Sequence, residues 1–182
     1  CGITGFWNKE KSQTNDELKS VVTSMKDIMQ HRGPDDSGEW VDEAYGIALG
    51  FRRLAILDLS PTGHQPMLSA DERYVMIFNG EIYNYAELKS ELDSTDCEFR
   101  GTSDTEVVLA GILQWGLENA VTRLNGMFAI ALWDRRERKL HLIRDRVGVK
   151  PLYYGWCGKT LIFGSELKSL TVHPGFKPEI DR

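Results

Sequence analysis

The sequence predicts an α+β fold in four layers, helix, sheet, sheet and helix, built on two mostly antiparallel sheets. Three observations predict it. The run Met127-Phe128-Ala129-Ile130-Ala131-Leu132-Trp133 is apolar at every position, as a strand covered on both faces requires. The polar stretch 134–139 then turns the chain, and Leu140-His141-Leu142-Ile143 returns, which is a hairpin and not a crossover. Helical patterns are few beside such strands, so two sheets stacked face to face with helices outside them satisfy the burial.

The elements follow in order. Leu18, Val21, Val22, Met25, Ile28 and Met29 fall on one face of a 3.6-residue period and predict a first helix. Asn84 with Glu87 three residues on has the form of a capping box, and Leu88 and Leu92 continue a second helix. Ser103-Asp104-Thr105-Glu106 repeats that form and opens a third helix, whose buried stripe is Val107, Val108, Gly111, Ile112 and Trp115. Strands are predicted over 3–7, 45–51, 54–57, 74–79, 127–133, 140–144, 152–156 and 161–163. His31-Arg32-Gly33-Pro34-Asp35-Asp36-Ser37-Gly38 reads as a polar loop closing the first helix, and Gly158-Lys159 as a hairpin turn.

Composition narrows the function. The 182 residues suit one domain, and no repeat or Pro/Ser-rich linker divides them. With 22 Lys and Arg against 27 Asp and Glu, the net charge of −5 disfavours nucleic acid as a partner. No apolar run reaches the roughly 18 residues that span a bilayer, so no membrane partner is expected, and the start CGITGFWNKEKSQ lacks the form of a signal peptide. Three widely spaced cysteines, Cys1, Cys97 and Cys157, make neither a disulfide framework nor a metal pair, which fits a reducing, cytoplasmic setting.

Cys1 holds a thiol and a free α-amine on one residue. The amine's ordinary pKa of about 7.7–8.0 lets it take the thiol proton near neutrality, so nucleophile and base arrive together. On identity alone the residue reads better as a tag scar or a small buried apolar side chain. Asn79-Gly80 at a strand end is a turn signal, yet a side-chain amide beside a glycine N–H can also hold an oxyanion. Arg53 can grip a carboxylate bidentately and Asp104 can accept from an ammonium, although each also fits a plain surface or helix-dipole role. Asp35 and Asp36 belong to no compact carboxylate set, so no metal is expected. His64, His141 and His173 stand isolated. Gly158-Lys159-Thr160 fails as a phosphate loop because Tyr153 stands where a glycine is needed.

Together the motifs carry a resemblance. They are Cys1-Gly2-Ile3-x-Gly5, His31-Arg32-Gly33-Pro34-Asp35, Arg53-Leu54-Ala55-Ile56-Leu57-Asp58 and Gly63-His64-Gln65-Pro66-Met67. Then come Asn79-Gly80-Glu81-Ile82-Tyr83-Asn84, Thr102-Ser103-Asp104-Thr105-Glu106, Leu124-Asn125-Gly126-Met127-Phe128-Ala129, Arg144-Asp145-Arg146-x-Gly148-x-Lys150-Pro151-Leu152-Tyr153 and Ser165-Glu166-Leu167-Lys168. In this order the chain resembles the glutaminase domain of class II glutamine amidotransferases, which are N-terminal-nucleophile hydrolases. It is most similar to the amino-terminal domain of glutamine-hydrolysing asparagine synthetases, to which Pro34 points. Thr102 departs from a glycine common in the family.

The resemblance implies the αββα sandwich of that fold and a reaction. Cys1 attacks the glutamine carboxamide, Asn79 and Gly80 hold the oxyanion, and water cleaves the γ-glutamyl thioester to glutamate after ammonia leaves. Arg53 holds the substrate carboxylate, Asp104 and Glu81 its ammonium, and main-chain groups near Ile56 and Leu57 line the site. It further implies a glutaminase domain over 1–170 and, over 171–182, the start of a linker to a synthetase domain in the same polypeptide. ATP and Mg belong to that absent domain, and this chain needs no cofactor. The partners are L-glutamine and the synthetase domain, and a homodimer is compatible with the sequence. Two alternatives stay open: the same glutaminase serving another ammonia acceptor, in polysaccharide or natural-product amidation, or a catalytically silent regulatory domain.

Overall fold

In chain order the elements are β1 (Gly2–Asn8), α1 (Asn15–Asp27), β2 (Asp36–Asp42), β3 (Ile47–Arg53), β4 (Met67–Leu68), β5 (Tyr74–Ile82) and α2 (Tyr85–Asp93). There follow α3 (Asp104–Trp115), α4 (Leu117–Arg123), β6 (Gly126–Asp134), β7 (Lys139–Arg144), β8 (Tyr153–Cys157), β9 (Thr160–Gly164) and α5 (Leu167–Thr171). They come from a computed structural model that describes residues 1–55, 61–95 and 99–178. Two units divide the chain: Cys1–Leu54 with Pro151–Arg182, and Ala55–Lys150.

The first unit is a five-stranded sheet in the order β2-β3-β1-β9-β8. Every pairing in it is antiparallel, with Gly2 opposite Arg52 and Thr4 opposite Gly164. One face packs Phe6, Ala48 and Ile162 against Leu18, Val22 and Met25 of α1 and Leu170 of α5. Ile3, Leu49, Phe51 and Phe163 alternate onto the other face and are wholly buried. Gly5 is required by close approach, since a Cβ there would lie 2.6 Å from the Phe163 ring.

The second unit is a four-stranded sheet in the order β4-β5-β6-β7, again antiparallel throughout. Met76, Phe78, Ile82, Phe128, Ile130 and Leu132 pack against Leu88 and Leu92 of α2, and Val107, Val108 and Ile112 of α3. The opposite face carries Val75, Ile77, Asn79, Ala129, Ala131 and Trp133, all at most 2% exposed.

Two antiparallel sheets with helices match the predicted class, and the uniformly apolar 127–133 run is the strand buried on both faces. Several details differ. The strand predicted at 45–51 begins two residues later, because Gly46 takes φ +66° in the turn closed by its own N–H on Glu43 O. Leu54 and Ala55 lie outside any strand, and the rest of the predicted 54–57 strand falls outside the described residues. The polar loop predicted over 31–38 gives way at Asp36 to β2, an edge strand whose polar, half-buried residues show no apolar alternation.

Asn84 does precede α2, but its side chain makes no cap. It bridges Arg123 O and Asn125 N–H instead. Ser103 caps α3 through Thr105 N–H, whereas Glu106 turns away to accept from Arg100 and Gly101 N–H. The reciprocal capping box forms at Thr14 and Glu17, ahead of α1.

Candidate active site

The sequence candidates fall on both units. In the first, Cys1 precedes β1 and its thiol lies against one backbone unit. Sγ is 3.5 Å from Leu54 O and 3.3 Å from Leu54 N. Leu54, through the two peptide groups that flank its Cα, offers an acceptor to the thiol and a donor to the thiolate, so either protonation state is held in place.

Arg32 reaches the same residue from the other side, donating from Nε to Cys1 O at 3.0 Å. Its Nη1 donates to Glu166 Oε1 at 3.0 Å, an oxygen that His31 Nε2 also meets at 3.0 Å. Lys168 Nζ stands 3.3 Å from Glu166 Oε2. Burial alone would raise the Glu166 pKa. Its hydrogen bonds to Arg32, His31 and Lys168 outweigh that and bring it to about 2.

Arg53 ends β3 and is 8% exposed, next to Leu54. Gly33 lets the chain lie flat on this stretch, for a Cβ there would fall 2.6 Å from the backbone of both Arg52 and Arg53. Asp35 N–H donates to Arg53 O at 3.1 Å. The adjacent Arg52 is committed elsewhere, to Asp27 Oδ1 at 2.6 Å.

In the second unit the site grows from the free side of β5. Phe128 gives its N–H and C=O to Asp145, so its partner Gly80 belongs to a pair that exchanges no ladder bonds. Phe78, Gly80 and Ile82 therefore aim their N–H groups away from β6. Phe78 N–H meets Gln65 Oε1 at 2.6 Å and Ile82 N–H meets Asp104 Oδ2 at 3.0 Å. Gly80 N–H points out between them.

Asn79 alternates onto the other face and is 2% exposed. Its Nδ2 is buried and, among the described residues, has no hydrogen-bond partner. Such a donor is costly to bury unused and is a mark of function. Gly80 cannot carry a side chain, since a Cβ would lie 2.7 Å from Phe128 Cα.

Asp104, at the start of α3, is 8% exposed. Burial pushes its carboxyl above the ordinary 3.8; N–H groups of Ile82 and Thr105 act against this, and the nearby Glu81 charge adds to the rise. The two carboxylates make a pair suited to one ammonium ion. Ile56 and Leu57 lie outside the described residues, as does Cys97. Cys157 packs in the first unit's core, where burial raises its thiol pKa. Gly33-Pro34, read as the stop signal of the first helix, falls after it: α1 already ends at Asp27 and a 3-10 turn over Gln30–Arg32 lies between. Among the described residues no group of three or more His, Cys, Asp or Glu could hold a metal.

Four polar residues belong to motifs quoted from the sequence yet had no role there. Gln65 donates to Phe78 O and accepts from Phe78 N–H, standing in for a strand partner beside Gly80. Asp145 accepts from Phe128, Val149 and Lys150 N–H, which holds its carboxyl below the ordinary range despite burial. Arg32 and Glu166 are the others.

A family model described as a glutamine amidotransferase domain matches residues 1–182. Asparagine synthetase [glutamine-hydrolyzing] 3 of Bacillus subtilis is 42% identical over all of this chain, which covers 29% of that protein. Amidase chry2 of Gibberella zeae is 36% identical over 98% of the chain and 27% of its own length. The chain thus spans under a third of these relatives. Among solved structures, the glutamine phosphoribosylpyrophosphate amidotransferase of B. subtilis matches 94% of this chain and 43% of its own, with TM-score 0.79 at 22% identity. That likeness shows a shared fold. No described helix is long and apolar enough to cross a membrane. The chain belongs to the glutamine amidotransferase domain family, among homologues named as glutamine-hydrolysing asparagine synthetases.

Proposed function

We propose that the chain hydrolyses L-glutamine to glutamate and ammonia through a thioester on Cys1. The thiolate attacks the side-chain amide carbon, and the α-amine of Cys1 takes the thiol proton and passes it to the departing ammonia. Asn79 Nδ2 and Gly80 N–H donate to the tetrahedral oxyanion. Arg53 binds the substrate carboxylate, while Asp104 and Glu81 bind its ammonium, with main-chain groups near Ile56 and Leu57 completing the site. Water then releases glutamate.

The observation that carries this reading is the buried, unpartnered Asn79 amide beside the outward N–H of a residue that must be glycine. Two preorganised donors within β5, which runs on to Ile82 past the strand end expected at Asn79, suit a charge that exists only during reaction.

In the complete polypeptide the ammonia passes to a synthetase domain that binds ATP and Mg and amidates aspartate. A second acceptor remains a specific alternative, since a relative named as an amidase is 36% identical. Ammonia release is to be measured for the native chain, for Cys1→Ala and for a form with an added N-terminal methionine. Only the native chain is expected to turn over. Equal release by all three would reject the thioester mechanism.

A further inference from the structure

An N-terminal nucleophile poses a mechanical problem. Cys1 lies outside the β1 ladder, so its thiol and amine need an external fixture to keep one orientation. The tie on its carbonyl is Arg32 Nε at 3.0 Å. Arg32 is a long, flexible side chain, however, and one hydrogen bond does not immobilise it.

Glu166 supplies the second point. It accepts from Arg32 Nη1 at 3.0 Å, and the residue before it is latched to β1, the strand that follows Cys1. The preceding residue, Ser165, donates its N–H to Ile3 O at 2.8 Å and accepts Ile3 N–H on Oγ at 3.0 Å. The loop from Cys1 through Arg32, Glu166 and Ser165 back to Ile3 is therefore closed. His31 Nε2 and Lys168 Nζ fill the remaining directions of the carboxylate, so it does not swing free.

We propose that Glu166 is a positioning residue for the nucleophile, acting through Arg32, whose guanidinium it clamps against the Cys1 carbonyl. The inference rests on the Cys1 glutaminase reading. In that chemistry, orientation is required at the moment of attack and not for glutamine binding. Removing the clamp should therefore lower kcat and leave KM alone.

The test is a double-mutant cycle in the complete polypeptide, with glutaminase kcat and KM and thermal unfolding as readouts. Glu166→Ala is expected to lower kcat on the order of 10- to 100-fold with KM within about twofold. Arg32→Lys keeps the charge but loses the two-nitrogen fork, and should lose a similar factor. Combined, they should cost no more than the worse single change, because one residue works through the other. Glu166→Gln keeps an acceptor for Arg32 and should recover part of the rate; it also decides the matter if Glu166→Ala does not fold. Wild-type kcat in Glu166→Gln and Glu166→Ala, or losses that multiply in the cycle, would overturn the proposal. If Cys1→Ala matches the wild type, the glutaminase reading itself falls. An inactive Cys1→Ala with a fully active Glu166→Ala overturns the clamp alone.

Discussion

Replacing Asn79 by alanine separates catalysis from folding. The side chain is 2% exposed and its Nδ2 has no partner among the described residues. Removing an unused buried donor relieves a penalty of about 1–3 kcal/mol. Truncating the side chain opens a small cavity that costs a comparable amount, so the net change in stability should stay within about 1–2 kcal/mol. Losing one of two oxyanion donors, by contrast, raises the barrier by about 2.7–4 kcal/mol, or 10²- to 10³-fold in kcat. The assay is steady-state ammonia release from glutamine, paired with thermal unfolding of the same preparation. A large fall in kcat at nearly constant Tm is expected. An Asn79→Ala variant within about threefold of wild-type kcat, or one that unfolds in step with its lost activity, would refute the oxyanion role.

Three further outcomes follow from the geometry. Gly80→Ala forces a Cβ to within 2.7 Å of Phe128 Cα, so β5 and β6 must part and Tm should drop by the equivalent of about 1–3 kcal/mol or more; an unchanged unfolding curve would contradict the close approach. Gly33→Ala meets Arg52 and Arg53 backbone at 2.6 Å and should raise KM for glutamine by displacing Arg53, which a titration of initial rate against glutamine measures. Asp104 has a folded pKa above its unfolded value of about 3.8, so its contribution to stability is greatest below that value and declines as pH rises through the folded pKa. Asp104→Asn should therefore be at least as stable as wild type near neutrality in a pH series of denaturant midpoints. It should also bind glutamine more weakly and lose the rise in KM that wild type shows as Asp104 protonates.

Features that depend on local pattern were legible in the sequence. The 3.6-residue face from Leu18 to Met29 gave α1, though Ile28 ends 40% exposed because the helix stops at Asp27. The unbroken apolar run 127–133 gave the central strand β6 with both its faces buried. Strand β2 was not legible, since an edge strand with half-buried polar residues leaves no period-two trace. Short α4 and α5 were also missed; their 7 and 5 residues give no periodic stripe long enough to read.

The site shows the same division. Cys1, Asn79 and Asp104 could be singled out because each has a distinctive chemistry at a distinctive place in the chain. Gln65, Arg32 and Glu166 could not be given roles from sequence. Their work lies in contacts 13, 31 and 134 residues away along the chain, which no local pattern encodes.

The most direct test of the central claim is acid-quenched peptide mass spectrometry of the native chain during turnover of glutamine. A γ-glutamyl adduct on the Cys1 peptide, absent from Cys1→Ala and from the peptides of Cys97 and Cys157, is the result expected of an N-terminal thioester. An adduct on Cys97 or Cys157, or ammonia release at an undiminished rate by Cys1→Ala, would contradict it.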